Sequence, residues 1–97
     1  MNKEEARRLA DAALQPLRSL SYEQLLAEYL NNPQASEVKG DDGQEYNLEV
    51  KATWDSRKER TLRVWACVDD GSLRWGLVSS PVCSDFIISP DGAYIGE

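Results

Sequence analysis

Two hydrophobic periods divide the chain. Ala6, Leu9, Ala10, Ala13, Leu14 and Leu17 recur at three- and four-residue spacing, one apolar stripe that predicts an amphipathic helix over 3–16. Pro16 ends or kinks it near Gln15, because proline cannot donate into the helical ladder. Ser21-Tyr22-Glu23-Gln24 then has the form of a capping box, in which Ser21 and Gln24 satisfy each other's backbone donors. Tyr22, Leu25, Leu26, Tyr29 and Leu30 follow at helical spacing and predict a second helix over 21–31, stopped by Asn31-Asn32-Pro33.

From residue 36 the period changes to two. Tyr46, Leu48, Val50, Ala52 and Trp54 alternate with polar residues, so one face of a strand over 45–55 is apolar and the other polar. Leu62, Val64, Ala66 and Val68 mark a strand over 61–69, and Leu73, Trp75 and Leu77 one over 72–79. Shorter runs predict strands over 36–39, 85–89 and 93–96. Asp-Gly pairs at 42–43, 70–71 and 91–92 fall between the runs as turn signals, since both residues tolerate positive φ.

Register follows from face matching. A loop over 56–60 pairs Trp54 with Leu62, Ala52 with Val64, Val50 with Ala66 and Leu48 with Val68, core residue against core residue. A two-residue turn at Asp70-Gly71 would pair Val68 with Leu73, Ala66 with Trp75 and Val64 with Leu77. The expected fold is α+β: a single domain over 1–97, with two N-terminal helices packed on one face of an antiparallel meander sheet of four to six strands. The outline resembles that of cystatin-like modules, but none of their signature residues is present, so the resemblance is one of architecture and implies no function.

Composition narrows the function classes. The 97 residues are 41% hydrophobic and 29% charged, an ordinary globular balance. Seventeen acids against 11 bases leave a formal charge of -6, which argues against nucleic acid, whose phosphates require a basic footprint. The excess is local. Residues 19–50 carry 7 acids and 1 base, and the rest of the chain is nearly balanced. The longest apolar run, Val64 to Val68, is far short of the ~20 residues of a membrane span. The charged N-terminal stretch has no apolar signal core, which with two cysteines predicts a cytoplasmic protein whose Cys67 and Cys83 are reduced, buried thiols.

Candidate chemistry is sparse. Having no histidine removes the commonest general base and metal ligand. Neither Gly40-Asp41-Asp42-Gly43 nor Asp69-Asp70-Gly71-Ser72 has the ligand spacing of a calcium loop or the lysine of a phosphate loop; both read as turns. No catalytic residues, metal ligands or cofactor are expected. Asp85, beside Phe86-Ile87-Ile88, is the acid with the least ordinary neighbourhood, and a carboxylate-based enzyme or small-ligand binder remains the minor alternative.

Binding is the better expectation. The outer sheet face gathers Lys51, Arg63, Trp65 and Arg74, with Lys51 opposite Trp65 and Arg74 opposite Cys67. Tryptophan and arginine are enriched at interface hot spots, so this patch is the candidate site of a protein-interaction or accessory module, with a homodimer through the same face as one form. The plainer reading has Trp65 covering Gly76 in water. The acidic run Glu37, Asp41, Asp42, Glu45 and Glu49 supports a second class, an acidic inhibitor or immunity-type protein on a basic partner. Solubility and protection of an edge strand are its plainer explanation.

Overall fold

The computed structural model describes residues 2–70 and 81–96. Helix α1 spans Lys3–Leu14, its first turn capped by the Asn2 side chain, which accepts from the Glu5 amide. It ends two residues earlier than the stripe suggests. Pro16 starts a separate 3-10 turn over Pro16–Ser19, which keeps Leu17 in the core while turning the chain. Helix α2 spans Tyr22–Tyr29 behind the expected capping box, with Ser21 and Gln24 each bonded to the other's backbone amide. Asn31 adopts a left-handed φ of 57° just past its end, the conformation asparagine tolerates best among residues with a side chain.

Five strands follow: β1 Gln34–Lys39, β2 Glu45–Ser56, β3 Thr61–Asp69, β4 Val82–Ile88 and β5 Tyr94–Gly96. They form one antiparallel meander in the order β1-β2-β3-β4-β5. The fold class is therefore the expected one. The β2–β3 register is also the expected one, with Trp54 on Leu62, Ala52 on Val64, Val50 on Ala66 and Leu48 on Val68. Two Asp-Gly pairs sit in hairpin loops, where Gly43 and Gly92 take φ of 82° and 88°.

The third pairing differs. The edge of β3 away from β2 is taken by β4, which puts Val68 on Val82, Ala66 on Ser84 and Val64 on Phe86. The expected pairing of Val68, Ala66 and Val64 with Leu73, Trp75 and Leu77 is therefore not the one this edge makes. The expected strand 72–79 lies outside the described residues. The nearest turn signal thus misassigned the partner: Phe86 and Ile88, both buried, supply the apolar face that β3 pairs with. Cys67 correspondingly faces Cys83 rather than Arg74, and the two form a disulfide with Cα atoms 4.1 Å apart. That separation is close to the narrow pair spacing of antiparallel ladders. The expectation of reduced, buried thiols is corrected, since both residues are bridged and half-buried.

The core lies between the helices and one sheet face. Ala6, Ala10, Leu14 and Leu17 pack with Tyr22, Leu25, Tyr46, Ala52, Leu62, Val64, Ala66, Val68, Phe86 and Ile88. Alanines on α1 let its backbone approach β3 and β4 closely, while α2 lies toward β2. Two long side chains lock the ends: the Tyr22 hydroxyl donates to the Arg60 carbonyl at 2.7 Å, and the Tyr94 hydroxyl donates to the Arg18 carbonyl. The Arg18 guanidinium sits 4.9 Å from the Phe86 ring and 5.9 Å from the Tyr94 ring.

Candidate functional site

With the helices on one face, side chains at odd positions of the central strands project from the other. The ladders arrange them in rows. Glu37, Asn47 and Asp69 share one row; Ala35, Glu49, Cys67 and Cys83 the next; Lys51, Trp65 and Asp85 the third; Thr53, Arg63 and Ile87 the fourth. Three of the four expected binding residues, Lys51, Arg63 and Trp65, are therefore brought together. Arg74 lies outside the described residues.

Each of the three is already engaged. Arg63 donates to Asp85 at 2.7 Å and to Asp55 at 3.2 Å, and its guanidinium lies 5.2 Å from the Trp65 ring. Asp85 is thus an ion-pair partner of Arg63, the structural role ordinarily expected of a half-buried acid. The Trp65 indole N–H donates to the Thr53 hydroxyl at 2.9 Å, which fixes the ring's orientation against the sheet. Lys51 pairs with Glu49 at 3.1 Å. Such half-exposed pairs contribute roughly 0–1 kcal/mol each, so they orient the face more than they stabilise it.

These pairs change the electrostatics of the patch. Its described cations, Lys51 and Arg63, are paired within the sheet, while Glu37 makes no ion pair among the described residues and Asp69 accepts from the Asn47 side-chain amide at 3.1 Å among its interactions. A concavity of about 640 Å³ opens over the first three rows. Its lining includes Ala35, Trp65, Pro81 and the Cys67–Cys83 bridge as apolar surface, with Glu37, Glu49 and Asp69 as carboxylates. Ala35 is the small residue of its row and leaves the space open. The disulfide, Ala35 and Pro81 are not marked by the sequence pattern because they join the face only through the β1–β2 and β3–β4 pairings, whereas Asp69 joins it through the β2–β3 pairing with Asn47. The signal that would have found the bridge is the parity of Cys67 and Cys83, which lie on one face in any register that pairs Val64 with Phe86.

A second polar cluster lies at the far end of α1. The buried Glu5 carboxylate accepts from the Arg8 guanidinium and from the Asp41 backbone amide, tying the β1–β2 loop to the helix. The Arg8 guanidinium, chiefly, holds the Glu5 carboxyl below its usual range. Tyr46, 1% exposed, donates to Asp42 at 2.7 Å. Burial first, then the neighbouring carboxylate, pushes the Tyr46 phenol up to about 12, and the same hydrogen bond lowers Asp42. These groups satisfy one another and hold a loop; none faces the concavity.

Among the described residues no group of three or more acidic or cysteine side chains converges as a metal-ligand set, and no helix is long and apolar enough to cross a membrane. Compared with protein-family models, curated proteins and solved structures, the chain matches none, so the cystatin-like outline rests on element order alone.

Proposed function

We propose that this protein is a non-catalytic protein-interaction module whose working surface is the outer face of the sheet. One observation carries it. The central strands are covered by helices on one side, yet on the other they hold a concavity with Trp65 fixed in its lining. A tryptophan held by a hydrogen bond loses little freedom on binding, which is what makes such residues effective anchors. Against an enzyme stands the use of carboxylates: Asp55 and Asp85, the best-held acids of the face, are both spent on Arg63. The absence of histidine removes the commonest proton carrier.

The compartment belongs to the same proposal. The cytoplasmic expectation leaned on reduced cysteines, and disulfides are rare in the cytosol. The bridge therefore supports an oxidising environment.

Ala35→Tyr tests the surface. Position 35 is exposed on an edge strand, so tyrosine fills the concavity without entering the core. Partner capture or self-association that is lost in Ala35→Tyr but kept in Lys58→Ala, at the exposed β2–β3 loop, is the expected result. Association indifferent to Ala35→Tyr would place the working surface elsewhere.

A further inference from the structure

We propose that the chain pairs with a second copy of itself through the open edge of β1, joining two five-stranded sheets into one. The proposal goes beyond the outer-face reading and rests on different groups, which strand parity identifies. Cys67 and Cys83 stand 4.1 Å apart at Cα, the narrow spacing of a pair that exchanges no backbone hydrogen bonds. The N–H and C=O of Cys67 therefore turn the other way, toward Glu49 on β2. Bonding directions alternate along a strand, so β2 turns its even positions toward β1, which meets them with Gln34, Ser36 and Val38. The bond from the Gly40 amide to the Gln44 carbonyl, at 2.9 Å, continues the same even series. Ala35, Glu37 and Lys39 are left with N–H and C=O groups aimed outward from the sheet edge, without a backbone partner among the described residues. Such a row is a template for another strand.

Charge selects a second copy and one register. Glu37 and Lys39 are both exposed on β1, and neither makes an ion pair among the described residues. A two-fold axis at Val38 sets Glu37 opposite the partner's Lys39 and Lys39 opposite the partner's Glu37, each pair exchanging its outward backbone bonds. An axis at Glu37 would bring two Glu37 carboxylates together, which is destabilising. An axis at Ser36 would set Lys39 against the partner's Pro33, which has no N–H to give. On the helix side, the Val38 register places Val38 beside the partner's Val38. Each already packs half-buried against the core, so the apolar layer continues across the junction. The edge lies on the side of the sheet away from β3 and β4, the strands that flank residues 71–80. So short a seam makes a weak dimer that forms as concentration rises.

Sedimentation of the wild-type chain and of two charge variants is the test. Between about 10 µM and about 1 mM the wild-type mass rises from monomer toward dimer. Glu37→Lys alone and Lys39→Glu alone each set like charges against each other, and each weakens self-association at least about tenfold. Mixed together, the two variants associate as tightly as wild type, because each supplies the charge that the other lacks. Misfolding cannot imitate that gain. A wild-type chain that stays monomeric throughout the range overturns the proposal. Variants that each weaken association but do not restore it when mixed overturn the register at Val38. Self-association that neither charge variant alters overturns the edge pairing. If that same association is lost in Ala35→Tyr, the outer face carries it, and the reading of that face stands while the edge fails.

Discussion

At position 40 there is room only for hydrogen. A Cβ there would lie 2.6 Å from Asp42 Oδ1, 2.9 Å from Tyr46 Cε2 and 3.0 Å from Glu5 Cγ, so three side chains close over the glycine. Gly40→Ala should destabilise the fold by about 1–3 kcal/mol, as overpacking of a tight site does, readable from the urea midpoint. The same cluster sets the pH limits. Glu5 and Asp42 titrate below their ordinary values of 4.5 and 3.8, so the stability they contribute is complete above those values and is lost as pH falls through the lowered ones. Tyr46 is raised from 10.0 to about 12, so its contribution is complete below 10.0 and is lost as pH rises toward about 12. Tyr46→Phe should lower stability at neutral pH and flatten the alkaline loss over that window; an unchanged alkaline slope contradicts the assignment. At this scale the sequence was legible where partners are local. The Ser21–Gln24 box and the Lys51–Trp65 pair could both be read from spacing. The Tyr46–Asp42 bond needs the bend of the β1–β2 loop, which spacing does not encode.

Among elements, β3 explains both the success and the failure of pattern reading. Its alternation matched β2 because a short loop joins them and every core residue meets another. Its second neighbour was misread because the Asp70-Gly71 signal favoured the nearest run, whereas the ladder closes on Val82–Ile88. Turn chemistry is local, but strand partnership is decided by which apolar face is buried, here that of Phe86 and Ile88 under α1. The bridge follows from that ladder and staples β3 to β4. Fifteen residues separate Cys67 from Cys83, and a loop of that length implies about 3 kcal/mol of stabilisation by constraint of the unfolded chain. Reduction with a dithiol should lower the unfolding free energy by about that amount without dissolving the sheet at neutral pH, since the core lies on the other face. Alkylation of the non-reduced protein should label no thiol; labelling at both cysteines in protein taken directly from its own cells would instead support the cytoplasmic placement.

For the whole molecule, the helices and the charge divide the surface into unlike parts. One sheet face is sealed by Ala6, Ala10, Leu14 and Leu25. Among the described residues the other carries carboxylates toward the β1–β2 end and Trp65 farther along. The exposed Arg57-Lys58-Glu59-Arg60 loop stands at the opposite end of the strands, with Arg60 stacked 5.2 Å from the Trp54 ring. The formal charge of -6 is thus not a property of the surface as a whole. This polarity was partly legible, since the acid excess falls in residues 19–50. What composition hid is that Arg63 and Lys51, cations when counted, are neutral in effect once Asp55, Asp85 and Glu49 are beside them. The most direct measurement is an amide and indole NMR spectrum of the isotope-labelled chain, recorded from dilute to concentrated protein and again with a captured partner. Beyond the β1-edge amides that concentration alone moves, shifts confined to Ala35, Glu37, Glu49, Cys67 and the Trp65 indole are the predicted result. Shifts centred on the helix side, at Arg7, Asp11 and Arg18, with the outer face silent, would contradict it.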